Sequence, residues 1–533
     1  MRGKGLRQSM AWIHGWLGLV AGWILFAMFL TGTASYFRPE VTRWMQPEFR
    51  PRPVAQSEAA RGAIAWLQRN APHDEQWTIY LPTERTLVTR VFTRARPNPD
   101  PKAPSAPRRP EIRLDPANGL PVEARETRGG EFFYRFHFQL QLPHPWGRWL
   151  AGLCAMFMLG AILSGVITHK RIFVDFFTLR WSKGQRSWLD AHNVSAVLAL
   201  PYHAMITYTG LITLVVMYMP WPIAANYPQP AAFSASLYGD TANQRASGRP
   251  GQLADIARFV EAASAEWRGA RVSRIIVGNP DDASSTVTLL RSSDDRLNAR
   301  GASITYAGGS GQRLAASPAP GPAVETAGVM LGLHLAWFAG PLLRWVCFLL
   351  GLTGGAMVAT GLVLWTVKRR RPGAKPFFGL SLVERLNIGV IACLPAGMAA
   401  YLLANRLLPP MLPGRADLEV SAMFWTWFGL AGLSLLRPAC RAWIETLAIA
   451  ALVFAAIPIA DLAAMRGIPS APQPFDGLFL AFDATMALLA AALGFAAWRL
   501  AKRPIAAARP SRRTVPARPE VARPEVREAA DVA

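Results

Sequence analysis

Long apolar runs are the feature that most constrains how this chain can fold. Half of its 533 residues are hydrophobic, and they are concentrated in stretches long enough for a helix of about 20 residues to cross a bilayer. Eight spans are predicted, at about 12–36, 148–168, 190–219, 342–367, 385–404, 420–436, 442–463 and 476–498. The sequence therefore predicts a polytopic α-helical membrane protein whose main partner is the lipid bilayer.

The positive charge of the chain follows this membrane map. The formal net charge is +23, and its clusters lie before the first span, in the loops at about 170–186 and 368–375, and after the last span. With eight spans, all of these clusters fall on one side, which the positive-inside rule assigns to the cytoplasm. Both termini are then cytoplasmic, and the charge needs no nucleic-acid partner to explain it.

Two long segments between spans are predicted to lie outside the membrane. Each begins with a helical stretch, Glu58 to Asn70 or Gln252 to Trp267, and continues with strand-like runs at 76–81, 86–93 and 111–114 or at 271–277, 285–291 and 302–306. Both patterns are typical of a small α+β module. The predicted organisation is a first span (1–37), a first module (38–147), two spans (148–219), a second module (220–341), a fourth span with a basic loop (342–375), four further spans (376–498) and a disordered basic tail (499–533).

The first part of the chain contains an internal repeat. His14 and His192 each lie near the inner start of a span, and a Thr-Gly pair follows 18 residues later in both copies, ending in Gly32 and Gly210. The closing spans match as well, with Gly165 and Gly361 at equal distances from a shared Arg-Trp pair. We therefore predict that residues 10–171 and 188–369 are two copies of one helix–module–helix unit. The last four spans fall outside this duplication.

Histidines are distributed unevenly along the chain. One of the eight, His73, is expected on the surface of the first module, and the predicted last four spans contain none. The other seven lie in or near the spans of the two copies: His14, His137, His144, His169, His192, His203 and His334. Polar groups at membrane depth are costly and mark function, and histidine is a common axial ligand of haem. Another metal, a proton path or plain amphipathic boundary residues are the alternatives.

The spacing of two histidines favours two levels of haem. His192 and His203 are eleven residues apart, so on a straight helix they share a face within about 20° and are separated by about 16 Å. This spacing is too long for one metal ion. The ligand sets left open are His192 with His14 or His169 for an inner haem, and His203 with His144 or His334 for an outer one. Arg148 and Arg344 lie where haem propionates would emerge, although basic residues at an interface also snorkel toward water.

The strings WIHGWLGL, SGVITHKRIFVDFFTLR, GQRSWLDAHNVSAVLALPYHAMITYTGL and ATGLVLWTVKRR resemble the PepSY-associated transmembrane helix family over about residues 1–370. The resemblance implies a bacterial inner-membrane protein with two external PepSY-type modules. It also implies a link to iron uptake, because some members are haem-b reductases that reduce ferric siderophores in the periplasm. The resemblance implies haem ligation most directly for the histidines inside the matching strings, which are His14, His169, His192 and His203.

The leading hypothesis is a transmembrane electron conduit with two b-type haems and a ferric siderophore as acceptor. The chain has no GxGxxG motif after a strand and no cysteine cluster, so its electron donor must be a quinol or a separate cytoplasmic reductase. One alternative is a non-redox regulator that binds peptides through the external modules. Another is a transporter that uses Asp461, Asp476 and Asp483 in the last four spans.

Overall fold

The computed structural model describes residues 5–96, 109–169, 176, 178–180, 183–229, 232–233, 245–370, 375–465 and 477–502. Its helices are α1 (Leu6–Ser35), α2 (Arg38–Met45), α3 (Gln56–Asn70), α4 (Glu131–Gln139), α5 (Trp146–Thr168), α6 (Gln185–Leu198), α7 (Leu200–Thr213), α8 (Val215–Tyr218), α9 (Trp221–Asn226), α10 (Ile256–Glu266), α11 (Pro322–Leu335), α12 (Pro341–Arg369), α13 (Phe378–Leu407), α14 (Arg415–Leu435), α15 (Ala439–Met465) and α16 (Gly477–Ala501). The predicted tail beyond residue 502 and Asp476 lie outside the described residues.

Seven of these helices, α1, α5 and α12 to α16, are long and apolar enough to cross a membrane. They correspond to seven of the eight predicted spans. The eighth, at 190–219, is a pair of helices, α6 and α7, which meet at an angle of 67°. Pro201 lies in the first turn of α7 and cannot donate a backbone hydrogen bond to the preceding turn, so the helix breaks at Ala199. The chain is a multi-pass helical membrane protein.

The spans of the first part of the chain pack around α1 and α12. Helix α1 packs against α5 on one side and α12 on the other, α12 packs against α6, and α7 packs against α11 and α5. Small residues allow these close approaches. A side chain added at Gly351 of α12 would meet Thr33 of α1, and one added at Gly354 would meet Phe29. The histidines described below lie in this group of helices and in α4 and α11, which precede α5 and α12.

The last four spans form a bundle that packs against the middle of α1 and against the segment at 125–129. Trp23 of α1 donates to Asn387 of α13 (2.9 Å), and the hydroxyl of Tyr401 donates to the carbonyl of Gly129 (2.9 Å). At the outer end, Arg125 donates to the carbonyl of Asn405 (2.8 Å). A π-helical turn, Ile388–Ala392, interrupts α13.

The two segments that sequence analysis predicts to lie outside the membrane build one antiparallel sheet. Its strands are β1 (Gln76–Tyr80), β2 (Thr89–Arg94), β3 (Ile112–Leu114), β4 (Val272–Gly278), β5 (Thr286–Arg291), β6 (Ser303–Ala307) and β7 (Arg313–Ala316), in the order β3-β2-β1-β4-β5-β6-β7. The strands that sequence analysis predicted are present with shifts of at most three residues at their ends. The join between the segments is the β1–β4 pair, in register from Gln76 opposite Gly278 to Tyr80 opposite Arg274.

Helices α3 and α10 cover one face of this sheet. Trp77 and Ile79 of β1 and Val277 of β4 are buried against these helices in one apolar core. Because side chains alternate across a strand, the residues that alternate with them, including Tyr80, face the opposite way. That second face is turned toward one end of the membrane helices, which we call the outer end, and together they line a common cavity of about 1200 Å³.

Candidate metal centres

Two histidines from different halves of the chain face each other between α1 and α6. The ring centroids of His14 and His192 are 6.0 Å apart. The Nδ1 atom of His14 lies 2.8 Å from the carbonyl oxygen of Ala161 on α5, and Nδ1 of His192 lies 2.8 Å from that of Met357 on α12. We call His14 and His192 the inner pair. The carbonyl groups of Ala161 and Met357 support it.

A second pair repeats this arrangement near the outer ends of the helices. The ring centroids of His137 on α4 and His334 on α11 are 6.1 Å apart. Nδ1 of His137 lies 2.8 Å from the carbonyl oxygen of Met28, and Nδ1 of His334 lies 3.1 Å from that of Ile206. We call His137 and His334 the outer pair.

The carbonyl contacts determine which nitrogen of each ring is available. A carbonyl oxygen can only accept a hydrogen bond, so Nδ1 must carry the proton and Nε2 keeps its lone pair, as in a metal-binding histidine. In the outer pair, burial lowers the pKa of His334 to about 3 and also lowers the pKa of His137. Burial thus favours the neutral form of both rings, which is the form that binds a metal.

The spacing within each pair fits two ligands on opposite sides of one metal. With each imidazole nitrogen about 2 Å from the metal, the two ring centroids are about 6 Å apart. Both observed separations, 6.0 and 6.1 Å, match this value. Within the described residues, no group of three or more His, Cys, Asp or Glu side chains is placed to hold a metal ion. A metal at either pair would thus need most of its ligands from a cofactor.

Each paired histidine packs against a glycine of a neighbouring helix. A Cβ added at Gly32 would lie 2.6 Å from Nδ1 of His137, and one at Gly210 would lie 2.9 Å from Cε1 of His334. At Gly165 and Gly361 an added Cβ would lie 3.1 Å from Cε1 of His14 and of His192. Sequence analysis had identified all four glycines, because they recur at matching positions of the repeat. It did not predict that they contact the histidines.

The two pairs lie at different depths along α1. This helix carries His14 of the inner pair and, fourteen residues later, Met28, whose carbonyl accepts from the outer pair. At 1.5 Å per residue the two levels are about 21 Å apart. That distance is shorter than the thickness of a hydrocarbon core, about 30 Å, so both levels can lie within one.

His203 belongs to neither pair. It is fully buried, its ring contacts Phe29 and Tyr202, and its Nε2 is 3.4 Å from the hydroxyl of Thr353. The expected pairing of His203 with His144 or His334 thus differs from the structure, in which His334 faces His137. The expectation assumed a straight helix through His192 and His203, and the bend at Ala199 removes that premise.

The other predicted histidine ligands belong to neither pair. His144 is exposed in the turn before α5, and His169 caps the C-terminal end of the same helix. The side chain of His73 is largely exposed and lies 3.0 Å from Asp281. For the inner level, sequence analysis left His14 and His169 open as partners of His192, and the ring that faces His192 is that of His14.

A family model described as the PepSY-associated TM region matches residues 11–368. This match covers more than half of the chain. The chain belongs to the PepSY-associated TM family. No curated protein matches it.

In this PepSY-associated TM protein, the family match includes both histidine pairs and all four glycines, and it ends before the last four spans. Two of the three predicted aspartates, Asp461 and Asp483, lie among the described residues and differ in their surroundings. Asp461 forms a buried ion pair with Arg406, whose guanidinium also stacks on Trp44 at 3.6 Å. Asp483 contributes a buried carboxylate oxygen that has no hydrogen-bond partner among the described residues.

The two predicted propionate partners differ in their surroundings. Arg344 lines the cavity that also reaches the outer pair, and it is held by Glu40 (3.1 Å) and by the carbonyl of Ala339 (2.7 Å). Arg148 instead donates to the side chain of Gln139 (3.1 Å) and stacks on Phe138 at 5.0 Å. Of the two, Arg344 is the better placed to meet a group bound at the outer pair.

Proposed function

We propose that this protein is a b-type haem protein of the bacterial inner membrane that carries electrons outward and reduces a ferric siderophore for iron uptake. The observation that carries the proposal is the presence of two facing histidine pairs at two levels along α1, with every Nδ1 atom within hydrogen-bond distance of a carbonyl oxygen.

The residues present fit haem better than a bare metal ion. Each pair would supply two imidazole ligands, and a porphyrin would supply the remaining nitrogen ligands that the protein lacks. His14 and His192 would hold one haem, and His137 and His334 the other. Bound there, haem supplies one-electron redox chemistry, while the protein sets its depth, orientation and exposure. The carbonyl bonds fix the ring tautomers, and the four glycines leave room for the imidazoles.

The arrangement of the halves supports the proposed duplication. Each pair takes one histidine from each predicted copy, and the two predicted PepSY-type modules meet through equivalent strands, β1 and β4. The positive-inside rule places the inner pair near the cytoplasm and the sheet in the periplasm. A quinol or a cytoplasmic reductase would then deliver electrons at the inner pair, and the chelate would be reduced on the side of the sheet.

Vectorial electron transfer in proteoliposomes tests this function. The full-length protein is reconstituted and given an impermeant reductant on the side of its termini and a ferric chelate on the side of the sheet, with a ferrous-specific dye as the readout. We expect ferrous iron to form with the wild-type protein and to drop to the protein-free rate with His14→Ala or His334→Ala. Equal rates for these variants and the wild type would refute the electron-conduit function and favour the non-redox regulator.

The matched control is His144→Ala, which removes an exposed histidine from the same region. We expect this variant to keep the wild-type rate. A loss as large as that of His334→Ala would mean that the paired arrangement is not the determining feature.

A further inference from the structure

The second face of the sheet carries an aromatic ring flanked by two arginines. In the antiparallel register, Tyr80 of β1 lies opposite Arg90 of β2 on one side and opposite Arg274 of β4 on the other. The guanidinium of Arg90 lies 4.7 Å from the centre of the Tyr80 ring, and that of Arg274 lies 5.5 Å from it. Phe92 completes the platform with an edge contact to Tyr80 at 5.7 Å.

Arg90 and Arg274 differ from the neighbouring arginines in the groups that their side chains contact. Arg85, Arg271 and Arg291 of the same cavity are each held by a carboxylate. By contrast, Arg274 donates to the neutral hydroxyl of Tyr80 (3.2 Å). The Nε atom of Arg90 is buried and has no hydrogen-bond partner among the residues that the structure describes.

The cavity as a whole has an excess of positive charge. Eight arginines and four carboxylates line it, and one of those carboxylates, Glu40, serves both Arg85 and Arg344. A low-dielectric cleft lined by one sign of charge concentrates ligands of the opposite sign. Arginine also binds carboxylate and similar planar oxygen groups in a bidentate manner. The ligand that suits this cavity is therefore an oxygen-rich anion.

The same cavity joins the platform to the outer histidine pair. Tyr80, Arg90 and Arg274 line it together with His137 and His334. Its volume of about 1200 Å³ exceeds the roughly 300–1,000 Å³ of common small-molecule sites. A bulky chelate held at the sheet would therefore share one cavity with the group bound at the outer pair.

We propose that Tyr80, Arg90 and Arg274 form a docking platform that selects anionic ferric chelates, such as tris-catecholates or citrate complexes, over neutral or cationic hydroxamate complexes. The proposal rests on the proposed function and specifies its substrate class. The arginines supply charge and bidentate hydrogen bonds, and the Tyr80 ring supplies a flat surface for aromatic or planar ligand groups.

Binding of redox-inert gallium chelates tests the platform independently of haem. Gallium complexes of a tris-catecholate and of a tris-hydroxamate are titrated into the full-length protein by calorimetry. We expect the wild type to prefer the catecholate, and the double variant Arg90→Gln/Arg274→Gln to bind it roughly tenfold or more weakly with little change for the hydroxamate. Equal affinities for both chelates in the wild type, or no effect of the double variant, would overturn the platform.

Arg113→Gln is the matched control. Arg113 lies in the same cross-strand row, opposite Arg90, but it contacts Gln46 (2.9 Å) and does not line the cavity. We expect this variant to bind the catecholate as the wild type does. An equal loss would show that general surface charge, not the platform, attracts the anion.

Two further measurements separate other sources of the same anionic chemistry. If the arginines bind haem propionates, the double variant will change the haem spectrum while its gallium-chelate affinity stays that of the wild type, which overturns the proposal. If they bind lipid headgroups, anionic lipid in nanodiscs will abolish chelate binding, which also overturns it. Failure of the proposed function would appear differently, as a protein without haem that still binds the gallium catecholate through Arg90 and Arg274.

Discussion

The contact between Gly32 and His137 gives the sharpest prediction. A Cβ added by Gly32→Ala would lie 2.6 Å from Nδ1 of His137, whereas ordinary contact begins at 3.4 Å. The imidazole must therefore retreat by about 0.8 Å, several times the tolerance of about 0.2 Å for a metal–ligand distance. The same movement weakens the 2.8 Å hydrogen bond to the carbonyl of Met28.

Overall stability should change little in this variant. Alanine is favoured over glycine in a helix by about 1 kcal/mol, and the weakened hydrogen bond costs about 0.5–1.5 kcal/mol. These effects offset each other in the free energy of unfolding. Loss of a supporting contact lowers metal affinity about 10- to 100-fold, so the outer haem should be lost selectively.

The assay compares haem content and thermal unfolding of Gly32→Ala with those of Gly18→Ala. Gly18 lies in the same helix, and a Cβ there meets nothing within 4 Å. We expect Gly18→Ala to keep both haems and Gly32→Ala to keep only the inner one at a similar unfolding temperature. Full haem content and an unchanged reduced-minus-oxidised spectrum in Gly32→Ala would refute the assignment of His137 as a ligand.

Three further perturbations test other parts of the structure. His203→Leu should retain both haems in a pyridine haemochrome assay, because His203 belongs to neither pair. Asp461→Ala leaves the buried Arg406 without its partner and should lower the free energy of unfolding by about 3–5 kcal/mol, measured by denaturant titration in detergent. Hydrogen bonds from Ser284 hold the pKa of Asp282 well below its usual range. The stability that these bonds supply is therefore present above the unfolded-state pKa of about 3.9 and is lost as pH falls below it. Asp282→Asn should lower the unfolding temperature at neutral pH, and the difference from the wild type should vanish in acid.

The membrane architecture was readable from the sequence because it follows from local properties. Apolar runs and their basic flanks depend on residues next to each other, and seven predicted spans are present as helices. The third span, at 190–219, was predicted as one helix because its composition is apolar throughout. The bend of 67° depends on Pro201. A single proline hardly changes the average hydropathy of a span, so the bend was not predicted.

The partners of the histidines were less readable because they depend on contacts between distant segments. His14 and His192 are 178 positions apart, and so are Gly32 and Gly210. The repeat identified these residues as equivalent but did not show that equivalent histidines would face each other. The outer pair was missed as a pair for the same reason, although both His137 and His334 were candidates. Similarly, the predicted strands are present, but their union into one sheet through β1 and β4 is a tertiary contact.

The number of haems per chain tests the central claim most directly. The full-length protein, His14→Ala and His334→Ala are purified under identical conditions, and haem per chain and low-spin signals are measured by pyridine haemochrome and electron paramagnetic resonance. The two histidine pairs predict two bis-imidazole haems in the wild type and the loss of a different one in each variant. A wild-type protein without haem, or variants that both keep two, would contradict the account.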